Sequence, residues 1–153
     1  MPTPEQRLAE LGFEIPDVVA PLASYVPAVR SGSYVYTSGQ VPMVQGQLAV
    51  TGKVGADVDL ATAQRCAQIC ALNALAAVRS LTGDLSAVTR IVKVVGYVAS
   101  DPSFTGQPAV VNGASDLLGE VFGDAGVHAR SAVGVAALPL DAPVELELVA
   151  EVG

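Results

Sequence analysis

Near the C-terminus apolar and polar positions alternate: Val144, Leu146, Leu148, Ala150 and Val152 interleave with Glu145, Glu147 and Glu151. A period of two is that of a strand with one face buried and the other wet. Upstream the period changes. From Asp59 to Gly83, Leu60, Ala63, Ala67, Cys70, Ala71, Ala74, Leu75 and Val78 recur at three- and four-residue spacings, predicting a long helix capped by Asp59. Its Ala-rich face suits close packing on a sheet. A second helical stripe runs from Pro108 to Phe122 through Val110, Val111, Ala114, Leu117, Leu118 and Val121, stops at Gly123, and gives way to a loop leading to Arg130. Between the helices, Arg90 to Ser100 is nearly continuous β-branched apolar sequence, predicting a central strand covered on both faces. Ser131 to Ala137 and Val144 to Val152 read as two further strands, joined by the Pro-bearing connection Leu138 to Pro143.

The N-terminal part is more broken. Thr3-Pro4-Glu5-Gln6 combines an N-cap, a first-turn proline and a capping-box glutamine, and Gly12 supplies a stop, so a short helix opens the chain. Pro16, Pro21 and Pro27 recur too often for a helix and suit an irregular lead-in between Phe13 and Arg30. Ser33 to Ser38 and Gln47 to Val50 are then expected to pair as a hairpin around the turn at Gln45-Gly46. The predicted order is β-β-α-β-α-β-β after the short helix. That order makes an α+β two-layer sandwich, a mixed sheet with two main helices on one face. Residues 1–20 read as helix and lead-in, and 21–153 as one domain.

Composition narrows the function. The chain has 153 residues, enough for one core, and its formal charge of -7 repels nucleic acid and anionic membranes. No apolar run approaches the roughly 20 residues of a membrane span. The polar, acidic start lacks the features of a secretory signal, so a cytoplasmic protein is expected. Cys66 and Cys70 stand four apart on one helix, where Cβ atoms are about 5–6 Å apart, beyond the roughly 3.5–4.5 Å of a disulfide, so reduced, buried thiols are expected. His128 is the single histidine, and no Cys/His cluster suggests a metal. One histidine without a Gly-x-Ser-x-Gly motif supports no catalytic triad, and Gly52-Lys53-Val54-Gly55 is too short for a phosphate loop.

Three local strings go further. Thr37-Ser38-Gly39-Gln40-Val41-Pro42 is similar to the Thr-Ser-Gly-Gln-x-Pro signature of the RidA family, also called YjgF or L-PSP. His128-Ala129-Arg130-Ser131-Ala132-Val133, followed by Leu138-Pro139 and Val144-Glu145-Leu146-Glu147, resembles that family's Pro-Ala-Arg-Ser segment, Leu-Pro pair and Glu-bearing last strand. Val111-Asn112-Gly113-Ala114 resembles, more loosely, the Val-Asn-Ala start of its second main helix. The resemblance spans about residues 21 to 153. It implies a chorismate-mutase-like fold, a homotrimer with ligand clefts between subunits, and cofactor-independent hydrolysis of enamines and imines such as 2-aminoacrylate to 2-keto acids and ammonia.

The resemblance makes Arg130 the group that binds the substrate carboxylate, a role its planar fork fits through paired charge-assisted hydrogen bonds; a structural ion pair is the alternative. It makes Glu145 the residue that orients or activates the attacking water, whereas the alternation alone describes a solvated strand face. Tyr25 takes the place of an aromatic near the cleft, or simply packs in the proline-rich segment. Ser38 and Gly39 bring a hydroxyl and a close backbone to the ligand, although Gly39 also suits a turn with φ > 0. Asn112 contacts substrate or caps and packs at its helix. Ala132 stands where many members carry Cys, leaving only backbone groups to act, and His128 replaces the usual proline, as a titratable group beside the cleft or a plain loop residue. The expected partner is a small anionic imine, enamine or keto acid. The alternative is a non-catalytic protein that senses such a carboxylate. The endoribonuclease activity reported for some relatives runs against the net charge and the lack of a basic patch, and a chorismate mutase would rest on fold analogy alone.

Overall fold

The computed structural model describes residues 1–21 and 23–153. Numbered along the chain, its elements are α1 (Pro4–Glu10), β1 (Ala28–Ser31), β2 (Tyr34–Thr37), β3 (Met43–Val44), β4 (Gln47–Leu48), α2 (Leu60–Thr82), β5 (Val88–Ala99), α3 (Gln107–Phe122), β6 (Ala129–Val135) and β7 (Val144–Val152). Strand β7 has the predicted alternation: Val144, Leu146, Leu148, Ala150 and Val152 are buried, and the residues between them are half-exposed. It lies inside a five-stranded sheet of order β1-β2-β7-β5-β6. All neighbours are antiparallel except β5 and β6, whose parallel pairing requires a crossover, and α3 provides it.

The two main helices cover one sheet face as predicted. The Asp59 side chain accepts from the Thr62 N–H at 2.9 Å to start α2, and Gly83, at φ 77°, ends it in the left-handed region that glycine enters without strain. Close packing of α3 depends on two glycines. A β-carbon on Gly113 would lie 2.3 Å from the Gln64 carbonyl oxygen in α2, and one on Gly96 in β5 would lie 2.4 Å from a Val111 methyl. Helix α1 has the predicted capping box, buries Leu8, and is tied down by Arg7 donating to the Val121 carbonyl and Glu5 accepting from Leu85 N–H. Cys66 and Cys70 are buried and not disulfide-bonded, and burial pushes both thiols up in pKa. Among the described residues no helix is long and apolar enough to cross a membrane.

The structure corrects the expected order at the front of the chain and two details further on. Strand β2 pairs not with Gln47–Leu48 but with Ala28–Ser31, inside the stretch read as irregular lead-in, through a turn at Gly32. Residues 47–48 pair instead with Met43–Val44 in a separate two-stranded hairpin. Proline spacing concealed β1 because Pro27 stands just outside it. Arg130 lies within β6 rather than at the end of a loop. Strand β5 is covered on one face within the chain: Ile91, Val94 and Val98 are buried, while Lys93, Val95 and Tyr97 are half-exposed. On that open face Val29, Tyr34, Tyr36 and Val133 are exposed.

Candidate functional site

The Thr37-Ser38-Gly39-Gln40 string is where β2 leaves β7. Strand pairing runs to Tyr36 opposite Val149 and resumes at Gln40, whose N–H and C=O exchange hydrogen bonds with Leu146 at 2.7 and 2.9 Å. Between these points the Leu148 N–H would lack a partner, and the Thr37 hydroxyl oxygen accepts it at 3.1 Å. The arch this creates is fixed from outside: Ser38 donates through its N–H to the Pro27 carbonyl and through its hydroxyl to the Val26 carbonyl, at 2.8 and 2.6 Å.

Gly39 crosses directly over Glu145. A β-carbon there would lie 2.8 Å from the Glu145 carboxyl carbon and 3.1 Å from each carboxyl oxygen. Its backbone is not left-handed. The turn explanation therefore gives way to close approach.

Beside this contact lies an open cavity of about 610 Å³. The lead-in contributes Val19, Pro21 and Tyr25, the arch Ser38 and Gly39, and the sheet Tyr97, Glu145 and Glu147. Glu145 is half-buried, and its carboxyl is held above the usual range first by loss of hydration and then by the neighbouring Glu147 charge. Tyr97, opposite Glu145 in the ladder, donates to Glu147. That hydrogen bond, with burial and the two carboxylates, pushes the phenol up to about 12. A carboxylate with raised proton affinity in a partly dry wall is suited to take a proton from water. Among the described residues no Lys, Arg or His lines this cavity.

Arg130 lies elsewhere. In β6 it stands beside Val94, on the sheet face under the helices, whereas Glu145 is on the opposite face and two strands away. Its Nη1 donates to Asn112 Oδ1 at 2.8 Å and Ser115 Oγ at 3.2 Å, and its Nη2 to the Pro108 carbonyl at 3.4 Å. Among the described residues Nε–H has no acceptor. Nε–H and the second Nη2 hydrogen thus form an edge able to take a carboxylate. Ala132, two residues on and beside Gly96, packs against the core. Asn112 lies within α3 and not at its start, so its polar role is toward Arg130. His128 stands before β6, with Nδ1 2.7 Å from the Gly126 carbonyl and Nε2 2.8 Å from Ser115 Oγ.

Of the residues singled out from sequence, one chain therefore gathers Tyr25, Ser38, Gly39 and Glu145 at the cavity, and Arg130, Asn112 and Ala132 in a second group. Three participants escaped the sequence reading. Glu147 stood in the alternation and in the last-strand string without a role of its own, Tyr97 was one residue of a central strand, and Ser115 a polar position on a helix.

The profile described as "YjgF/chorismate mutase-like, putative endoribonuclease" matches residues 5–152. Protein TCP17 of Trypanosoma cruzi is 43% identical over 146 residues, covering 95% of this chain and 91% of its own. A crystal structure of Atu1372 from Agrobacterium tumefaciens, a protein of unknown function, is 51% identical, with a TM-score of 0.92 over 98% of this chain and 92% of that one. The structure of Escherichia coli TdcF with bound serine is 26% identical, with a TM-score of 0.63 over 90% of this chain and 93% of that one.

Proposed function

The chain belongs to the YjgF/chorismate mutase-like family, and from that premise we propose that it hydrolyses reactive 2-imino acids and their enamine tautomers to 2-keto acids and ammonia. The observation that carries this reading is the Glu145 carboxylate, held under Gly39 in the wall of an open cavity with its proton affinity raised. In the proposed reaction water adds through oxygen to the C=N carbon of the protonated imine, and Glu145 takes the proton that water loses. The resulting carbinolamine receives that proton on nitrogen. The C–N bond then breaks, ammonia departs, the C=O bond forms and the hydroxyl proton is released. The protonated imine is already electrophilic, so orientation and charge complementarity are the main contributions asked of the protein. This chemistry asks for no cofactor.

A 2-imino acid also carries a carboxylate, and the cavity residues supply no cation for it. Arg130 has the matching edge but lies on the other sheet face of the same chain. We therefore place Glu145 and a neighbouring subunit's Arg130 in one cleft of a homotrimer, assembled through the open sheet face that exposes Val29, Tyr34, Tyr36 and Val133. Exposed apolar patches of this kind mark interaction sites. The serine held by TdcF pairs a carboxylate with nitrogen on the adjacent carbon, as a 2-imino acid does.

The test supplies imine from an amino-acid oxidase in the cytoplasm-like conditions proposed for this protein, and follows the released keto acid. Faster release with the protein present supports hydrolysis. Tight keto-acid binding without acceleration favours a sensing protein on the same residues. Ribonuclease activity that persists through purification and disappears with Arg130→Ala would favour the activity in the family description, which the charge of -7 opposes.

A further inference from the structure

We propose that His128 is a positioning residue which, through Ser115, fixes the Arg130 guanidinium with its Nε–H and Nη2–H edge turned outward for a substrate carboxylate; this rests on the role proposed above for Arg130. The Gly126 carbonyl oxygen 2.7 Å from Nδ1 only accepts, so its partner fixes the ring proton on Nδ1. The opposite tautomer would set a nitrogen lone pair against that oxygen. With the proton on Nδ1, Nε2 of the neutral ring is an acceptor, and the Ser115 hydroxyl 2.8 Å away donates to it.

A serine hydroxyl otherwise rotates between donating and accepting. Here its proton is committed to His128, so its lone pairs face Arg130 Nη1 at 3.2 Å. Asn112 Oδ1 takes the other Nη1 hydrogen at 2.8 Å. Both hydrogens of that nitrogen are spent on α3, and the planar group cannot swing without breaking one of these bonds. The edge left open is the one suited to a bidentate carboxylate. His128 and Arg130 stand two residues apart, the spacing at which extended backbone points side chains to the same side, and both reach Ser115.

The experiment measures kcat and KM for an oxidase-generated 2-imino acid, and pyruvate binding by calorimetry, in wild type and five variants. Ser115→Ala and His128→Leu are each expected to raise KM and weaken pyruvate binding about tenfold, the scale of one charge-assisted hydrogen bond, with kcat kept within about twofold. The double variant should be no worse than either single one, since both break the same relay. Ser115→Thr, which keeps a hydroxyl, and His128→Gln, whose amide oxygen accepts from Ser115, should recover most of the affinity. Unchanged KM and pyruvate binding in Ser115→Ala and His128→Leu overturn the relay. So does a matching fall in kcat that neither conservative variant recovers, because that is the mark of a structural role alone. Wild type that neither turns over imines nor binds pyruvate overturns the functional reading itself.

Discussion

The Glu145 carboxyl carbon lies 2.8 Å from the point a β-carbon on Gly39 would occupy. The contact reaches the end of a flexible side chain and not backbone, so a methyl at position 39 displaces the carboxylate more than it disturbs the fold. Gly39→Ala should therefore lower kcat for imine hydrolysis by about 10- to 100-fold, the cost of misplacing a reacting group by an ångström or less. Stability should change by no more than about 1 kcal/mol. Parallel kinetics and urea unfolding check this, and an equal loss in both would assign Gly39 to folding.

Glu145 should trade stability for chemistry. Its folded-state pKa is raised by burial and by Glu147, so the native state binds protons more tightly than the unfolded chain. Its contribution is favourable below the unfolded carboxylate range and is lost as pH rises through the higher folded value. Glu145→Gln should thus melt higher than wild type at pH 7, by at most about 2–4 °C given that the half-buried group is screened. The gap should close below pH 4 while turnover is abolished at every pH. Calorimetric melts across that range measure it.

Tyr97 should ionise late. The hydrogen bond to Glu147, burial and the two carboxylates push it up to about 12. A raised folded pKa means that this phenol's contribution is intact below its unfolded value near 10 and is lost as pH rises toward 12. Ultraviolet titration of tyrosinate should show a step near pH 12 that vanishes in Tyr97→Phe and moves down in Glu147→Gln.

Gly113→Ala should destabilise without touching chemistry directly. Its methyl would meet the Gln64 carbonyl at 2.3 Å, and two packed helices cannot yield as a side chain can. A loss of about 1–3 kcal/mol is expected from overpacking, read as an unfolding midpoint in urea.

Local signals recovered much of the fold. The capping box of α1, the Asp59 and Gly83 limits of α2, and the alternation of β7 each follow from neighbouring residues, and each stands where the sequence put it. Pairing partners were less legible. Strand β2 takes Ala28–Ser31 because a turn at Gly32 brings it alongside, a choice that a proline-rich approach hides. The site divides in the same way. Glu145 and Arg130 stood out through the strings that contain them, whereas their placement on opposite sheet faces depends on strand order. The reason for Gly39 depends on a side chain more than a hundred residues away, and Ser115 mattered only once α3 lay beside β6.

Hydrolysis of 2-imino acids as proposed requires Arg130 and Glu145 to act together. The most direct measurement generates imine with an amino-acid oxidase in the presence of semicarbazide and compares wild type with Arg130→Ala. Hydrolysis by wild type should draw imine away and suppress the semicarbazone signal, while Arg130→Ala, folded and assembled as wild type is, should leave that signal at its protein-free level. Suppression by both proteins, or by neither over a range of amino acids, would contradict the account.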